Sequence, residues 1–87
     1  MVRVYYSDNF FKSAQKLPEK QKMKLASLLV LLKENPYHPK LHTKSLSGNL
    51  AGIFSFRITR EVRTLFKFLS PEAVMLIDLG NRKDIYK

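Results

Sequence analysis

The sequence predicts an α+β domain: an N-terminal strand, a two-helix hairpin, then a three- to four-stranded antiparallel sheet with the helices on one face. Three observations carry this expectation. A β-branched and aromatic run, VRVYY, opens the chain at residues 2–6. Apolar residues recur at helical spacing between residues 8 and 34. Two later stretches, GIFSFRITREVRTLFKFL and AVMLIDL, read as strands, the first by strict alternation and the second as a nearly all-apolar, centrally placed segment.

Taken in order, the first strand ends at Ser7-Asp8, with Asp8 suited to cap a helix over about residues 8–16 that carries Phe10, Ala14 and Leu17. Pro18 suits the first turn of a second helix, with Glu19 near its positive end. Met23, Leu25, Leu28, Leu29 and Leu32 form its apolar stripe, and Asn35-Pro36 stops it. Residues 36–51 have turn chemistry and are expected to form a long connection. The stretch from Gly52 to Leu69 is then a hairpin. Pairing Thr59 with Arg63 across a three-residue loop points Phe54, Phe56, Ile58, Thr64, Phe66 and Phe68 inward. Ser55, Arg57, Arg63 and Lys67 point outward, whereas a slip of one residue would bury the charges. Ser70-Pro71-Glu72 turns the chain into the last strand, which Gly80-Asn81 is expected to end.

The chain has 87 residues, 45% hydrophobic and 26% charged, the composition of a single globular domain over residues 1–87. It contains no cysteine, which excludes disulfide staples and thiolate chemistry. No apolar run approaches the length of a membrane span and the N-terminus lacks a signal-peptide pattern, so a cytoplasmic location without membrane contact is expected. The formal net charge is +9, spread over both halves of the chain. A charge of that size points to a polyanion or an acidic protein as partner.

After the core is assigned, Arg57, Arg63, Lys67, Arg82, Lys83, Tyr86, Lys44 and His42 remain. Guanidinium groups on a rigid strand suit a phosphodiester whose transition state is more negative than its ground state. Clustered carboxylates for a two-metal nuclease are missing, as are a Gly-rich phosphate loop and a GxSxG motif. Any RNA cleavage is then expected to be metal- and cofactor-free, by attack of a ribose 2′-hydroxyl on the adjacent phosphate, with a proton acceptor and a proton donor in attendance. Tyr86 and His42 are the candidates for proton work. The ordinary alternatives stay open: Tyr86 packing on the sheet edge, His42 solvated on its loop, and Arg63 and Arg82 paired with Asp78 or Asp84.

The helical hairpin ending in NP, followed by KSLSGNLAGIFSFRITREVRTLF and LIDLGNRKDIY, resembles the RelE/ParE superfamily of bacterial and archaeal toxins. The similarity runs from about Tyr5 to Tyr86 and implies a single toxin domain. RelE-like members are ribosome-dependent endoribonucleases that cut mRNA in the ribosomal A site and are neutralised by a cognate antitoxin. The resemblance therefore implies an antitoxin, mRNA and ribosomal RNA as partners. It gives Arg63 and Arg82 phosphate-stabilising roles in catalysis and Tyr86 the orienting or activation of the 2′-hydroxyl. Arg57 matches a basic residue of the first hairpin strand across a one-residue gap, and Lys44, His42, Lys67 and Lys83 join it as RNA-binding candidates. Two features depart from the pattern: Ser55 stands where a RelE-type lysine is expected, and no histidine lies near the C-terminus. His42 or Lys44 is the candidate substitute. A ParE-like toxin that inhibits gyrase without nuclease activity is the alternative the resemblance leaves open.

Overall fold

In the computed structural model, which describes residues 1–86, five strands form one mixed sheet. Strand β1 (Arg3–Tyr6) lies at one edge and β2 (Lys44–Ser45) at the other, and β3 (Phe54–Arg57), β4 (Val62–Ser70) and β5 (Ala73–Asn81) lie between them in the order β1-β5-β4-β3-β2. All neighbours are antiparallel except β1 and β5, which run parallel. The apolar run of β5 is thereby explained, since it is paired on both sides and buries Val74, Leu76 and Leu79. It also runs further than the sequence predicts, through Gly80 and Asn81. Both residues still have partners on β4, Arg63 and Val62.

Helix α1 (Asp8–Gln15) is capped by Ser7 rather than by Asp8. The Ser7 hydroxyl accepts from the Phe10 N–H (3.0 Å) and donates to the Ile77 carbonyl (2.5 Å), so one side chain both starts the helix and ties it to β5. Helix α2 (Glu19–Glu34) begins one residue after Pro18, whose carbonyl takes the N–H groups of Gln21 and Lys22. Leu25, Leu28 and Leu32 are buried, while Met23 is 69% exposed. Met23 precedes Leu25 by two residues, about 200° around the helix, so it lies outside the stripe in which the sequence placed it.

Both helices cover one face of the sheet. There Phe10, Leu25, Leu28 and Leu32 meet Phe56, Ile58, Phe66, Val74, Leu76 and Leu79 in a single core, and Tyr37, Phe54 and Phe68 extend it as an aromatic cluster. The connection over 36–51 is more ordered than its composition suggests. It makes two 3-10 turns (Pro39–Leu41 and Gly48–Leu50) around β2, and it delivers a fully buried Leu41 to the core.

The β3–β4 hairpin keeps the predicted three-residue loop, but one residue earlier. Ile58 donates to the Val62 carbonyl (2.9 Å), leaving Thr59-Arg60-Glu61 as the loop and placing Arg57, not Thr59, opposite Arg63. Thr59 belongs to the turn because its hydroxyl accepts from the N–H groups of Glu61 and Val62. The register has moved by two residues, an even number, so every side chain keeps its predicted face. Beyond β5 the chain makes a last helical turn, α3 (Arg82–Ile85), capped by the Asn81 side chain. Among the described residues no helix is long and apolar enough to cross a membrane.

Candidate active site

The face of the sheet opposite α1 and α2 takes its side chains from the alternate residues of β3 and β4. Strand pairing arranges them in rows: Lys44, Ser55 and Leu65 in one, Arg57, Arg63 and Gly80 in the next. Ile58 and Val62 form a hydrogen-bonded pair. Arg57 and Arg63 are therefore the adjacent non-hydrogen-bonded pair, in which Cα atoms approach to about 4.5 Å and side chains are closest.

Two arginines placed directly opposite each other repel, and a sheet gains nothing from holding them so. Both are half-buried, and the Nε atoms of both are buried without a hydrogen-bond partner among the described residues. An unpartnered buried donor normally costs stability. Among the described residues the one hydrogen bond of the Arg63 guanidinium is a long one, 3.4 Å to the Arg60 carbonyl. Adjacent half-exposed guanidiniums have the geometry and charge to receive anionic oxygens, the acceptors that guanidinium groups fit best.

Helix α3 folds back over this same face. Gly80 sits opposite Arg63, and a Cβ added to it would lie 2.9 Å from Ile85 Cγ2, so the glycine is there for close approach. Under the turn, Ser55 and Leu65 are buried although they point away from the helical layer. Tyr86 closes the arrangement, its hydroxyl sharing a hydrogen bond with the Ser55 hydroxyl at 3.1 Å. The start of α3 is pinned to the hairpin loop, since the Arg82 N–H donates to the Glu61 carbonyl (2.7 Å) and the Arg82 side chain approaches the Glu61 carboxylate at 3.8 Å. Glu61 thus takes the place that the sequence offered to Asp78 or Asp84. Asp78 instead accepts from the Ser13 hydroxyl and from the Leu79 N–H.

Of the residues singled out from the sequence, Arg57, Arg63, Arg82 and Tyr86 are thus brought to one end of the outer face. Lys44 lies beside Ser55 at the sheet edge, Lys83 is exposed on α3, and Lys67 is exposed two outward positions beyond Arg63 along β4. His42 is not brought to them. It lines a groove on the helical layer with Lys24, Ser27, Leu28, Leu31 and Lys40, because a left-handed backbone at His42 (φ 51°) turns the chain there before β2 begins. Sequence reasoning gave no site role to Ser55, Gly80 or Glu61. Ser55 drew notice only as a departure from the family pattern, and Gly80 only as a strand end, although a glycine inside a strand is a common mark of close backbone approach.

No protein-family model matches the sequence, and no curated protein matches it significantly. Solved structures match its shape. YafQ from E. coli strain BL21(DE3) superposes with a TM-score of 0.80 at 19% identity, covering 100% of both chains. The YoeB/ParE toxin from Agrobacterium tumefaciens gives 0.79 at 20% identity over 93% of this chain and 99% of its own. The archaeal RelE–RelB complex from Pyrococcus horikoshii OT3 gives 0.77 at 17% identity over 95% and 97%. The chain therefore has the RelE-like fold that these proteins share.

Proposed function

We propose that this protein is the toxin of a toxin–antitoxin pair and that it cleaves mRNA on the ribosome without a metal ion. The observation that carries this reading is the Arg57–Arg63 pair, two adjacent half-buried guanidiniums with unpartnered Nε atoms, overlooked by a turn that carries Arg82 and Tyr86. A phosphodiester seated there meets the exposed part of both guanidiniums. When a ribose 2′-oxygen attacks phosphorus in line, charge builds on the equatorial phosphate oxygens. Preplaced guanidiniums stabilise that charge more than they stabilise the substrate, which is the condition for acceleration. The new 2′-O–P bond forms as the P–O5′ bond breaks, leaving a 2′,3′-cyclic phosphate and a 5′-hydroxyl. Tyr86 stands as the side chain that orients the 2′-hydroxyl. Lys44, Lys67 and Lys83 extend the cationic surface for the flanking RNA, a sequence-independent attraction of the kind that polyanions draw from lysine.

The likeness in fold to toxins solved in complex with antitoxins supports an antitoxin for this chain, one whose acidic segment neutralises the same face. Toxin added to a reconstituted translation mixture tests the whole reading, with mRNA ends mapped by primer extension beside naked mRNA. Cuts at codon-spaced positions that require the ribosome, weakened about 10²–10³-fold in Arg63→Ala, are the expected result. No cuts at all, with inhibition of DNA supercoiling instead, would transfer the fold to the gyrase-directed alternative.

A further inference from the structure

On the reading above, Tyr86 works on the 2′-hydroxyl, which requires its phenol to be held in place. Ser55 is fully buried, points to the outer face, and is flanked by Lys44 on one side and Leu65 on the other. A buried hydroxyl requires a partner, and among the described residues its side chain has one, the Tyr86 hydroxyl at 3.1 Å. That contact ties the half-exposed phenol to the floor of the outer face.

We infer that Ser55 is a positioning residue: its hydrogen bond with the Tyr86 hydroxyl holds the phenol next to the row of the arginine pair, in the place from which it orients the ribose 2′-hydroxyl. Serine suits the task because its side chain is short. The 3.1 Å contact places the ring directly above it, and the C-terminal turn can reach down only because Gly80 admits Ile85 beside it. Ser55 touches no RNA, being wholly covered. Its influence passes through Tyr86 alone, and that dependence is measurable.

The test is a cycle of Ser55→Ala, Tyr86→Phe and the double variant, with Ser55→Thr as the variant that retains the hydroxyl. Single-turnover cleavage at saturating toxin is expected to fall about tenfold in Ser55→Ala, the weight of one hydrogen bond, with the half-saturating concentration unchanged. Ser55→Thr restores most of the rate, and adding Ser55→Ala to Tyr86→Phe costs nothing further. A second, activity-independent readout uses tyrosine labelled with ¹³C at Cζ. The protein has four tyrosines, and the Tyr86 resonance is identified by its loss in Tyr86→Phe. Ser55→Ala should shift that resonance and leave the other three in place. An unmoved Tyr86 resonance overturns the hydrogen bond. A moved resonance with full cleavage, or an added loss in the double variant, overturns the positioning role. Wild-type protein that cleaves nothing overturns the nuclease reading, while the resonance still judges the contact between the two residues.

Discussion

The two faces of the β3–β4 hairpin are built from the same strands and differ in how each disposes of its side chains. On the inner face Phe54, Phe56, Phe66 and Phe68 contact one another, with ring centroids 5.3–6.0 Å apart, and the helices cover them. Every apolar group there has neighbours, and the face needs nothing from outside. On the outer face, one residue away along the chain, two arginines oppose each other with buried donors left over, and a four-residue turn is the cover. The inner face spends its contacts on stability. The outer face keeps an electrostatic penalty that an anion would relieve, and unrelieved cost in a rigid setting is the usual mark of a site. Thr64 is the exception within, a fully buried residue whose hydroxyl has no partner among the described residues.

Adjacent residues on β4 give the largest contrast. Phe66→Ala should destabilise the fold by about 3–5 kcal/mol through lost burial and the cavity left behind, while Lys67→Ala, exposed on the other face, stays within about 0.5 kcal/mol. Urea unfolding of the two variants measures both. A Phe66→Ala loss below about 1 kcal/mol would mean that the inner face is loosely packed and that the division between faces is false.

Arg63→Ala inverts that pattern. If the proposed cleavage holds, its loss should correspond to about 3–4 kcal/mol of transition-state stabilisation. Its unfolding free energy should hold or rise slightly, because removing one arginine relieves a like-charge pair. A variant that loses activity and stability together would place Arg63 in the scaffold rather than in the site.

The inner face was the legible one. Alternating phenylalanines, the 3.6-residue spacing of Leu25, Leu28 and Leu32, and Asn35-Pro36 each obey a local periodicity, and even a two-residue error in hairpin register left the faces correct. The parallel pairing of β1 with β5 was not legible, because partners some 70 positions apart leave no local trace. The outer face was legible as a list of arginines and a tyrosine. Its geometry was hidden because it depends on α3 folding back, which rests on a glycine without a side chain and a serine of ordinary appearance. His42 misled for a related reason: the backbone at that residue is left-handed, and nothing in HPKLHTK says which layer it joins.

Gly80 offers the next contrast, between a change at the site's cover and one in its floor. Gly80→Ala adds a methyl group 2.9 Å from Ile85 Cγ2. Overpacking of this kind costs about 1–3 kcal/mol, but here the yielding part is α3 and not the sheet. Most of the cost should appear as a loosened turn: faster amide exchange over residues 82–86, cleavage reduced about tenfold, and a thermal midpoint lowered by only a few degrees. Exchange that accelerates equally in β4 and β5 would show instead that the turn and the sheet are one cooperative unit.

The smallest effect expected separates the two ways in which Glu61 holds α3. Its carbonyl accepts the Arg82 N–H at 2.7 Å, whereas its carboxylate stands 3.8 Å from Arg82 Nε with both side chains about half exposed. Exposed pairs of this geometry are worth at most about 1 kcal/mol and less in salt. Glu61→Gln keeps the backbone link and removes the charge, so the thermal midpoint should fall by less than about 8 °C, and by less still at high salt. Arg82 then loses its only carboxylate neighbour among the described residues, and a guanidinium released from a carboxylate is freer to meet a phosphate. Cleavage in Glu61→Gln should therefore be undiminished or raised. A fall in rate of tenfold or more, with the midpoint unchanged, would mean that the ion pair aims Arg82 at the phosphate rather than competing for it.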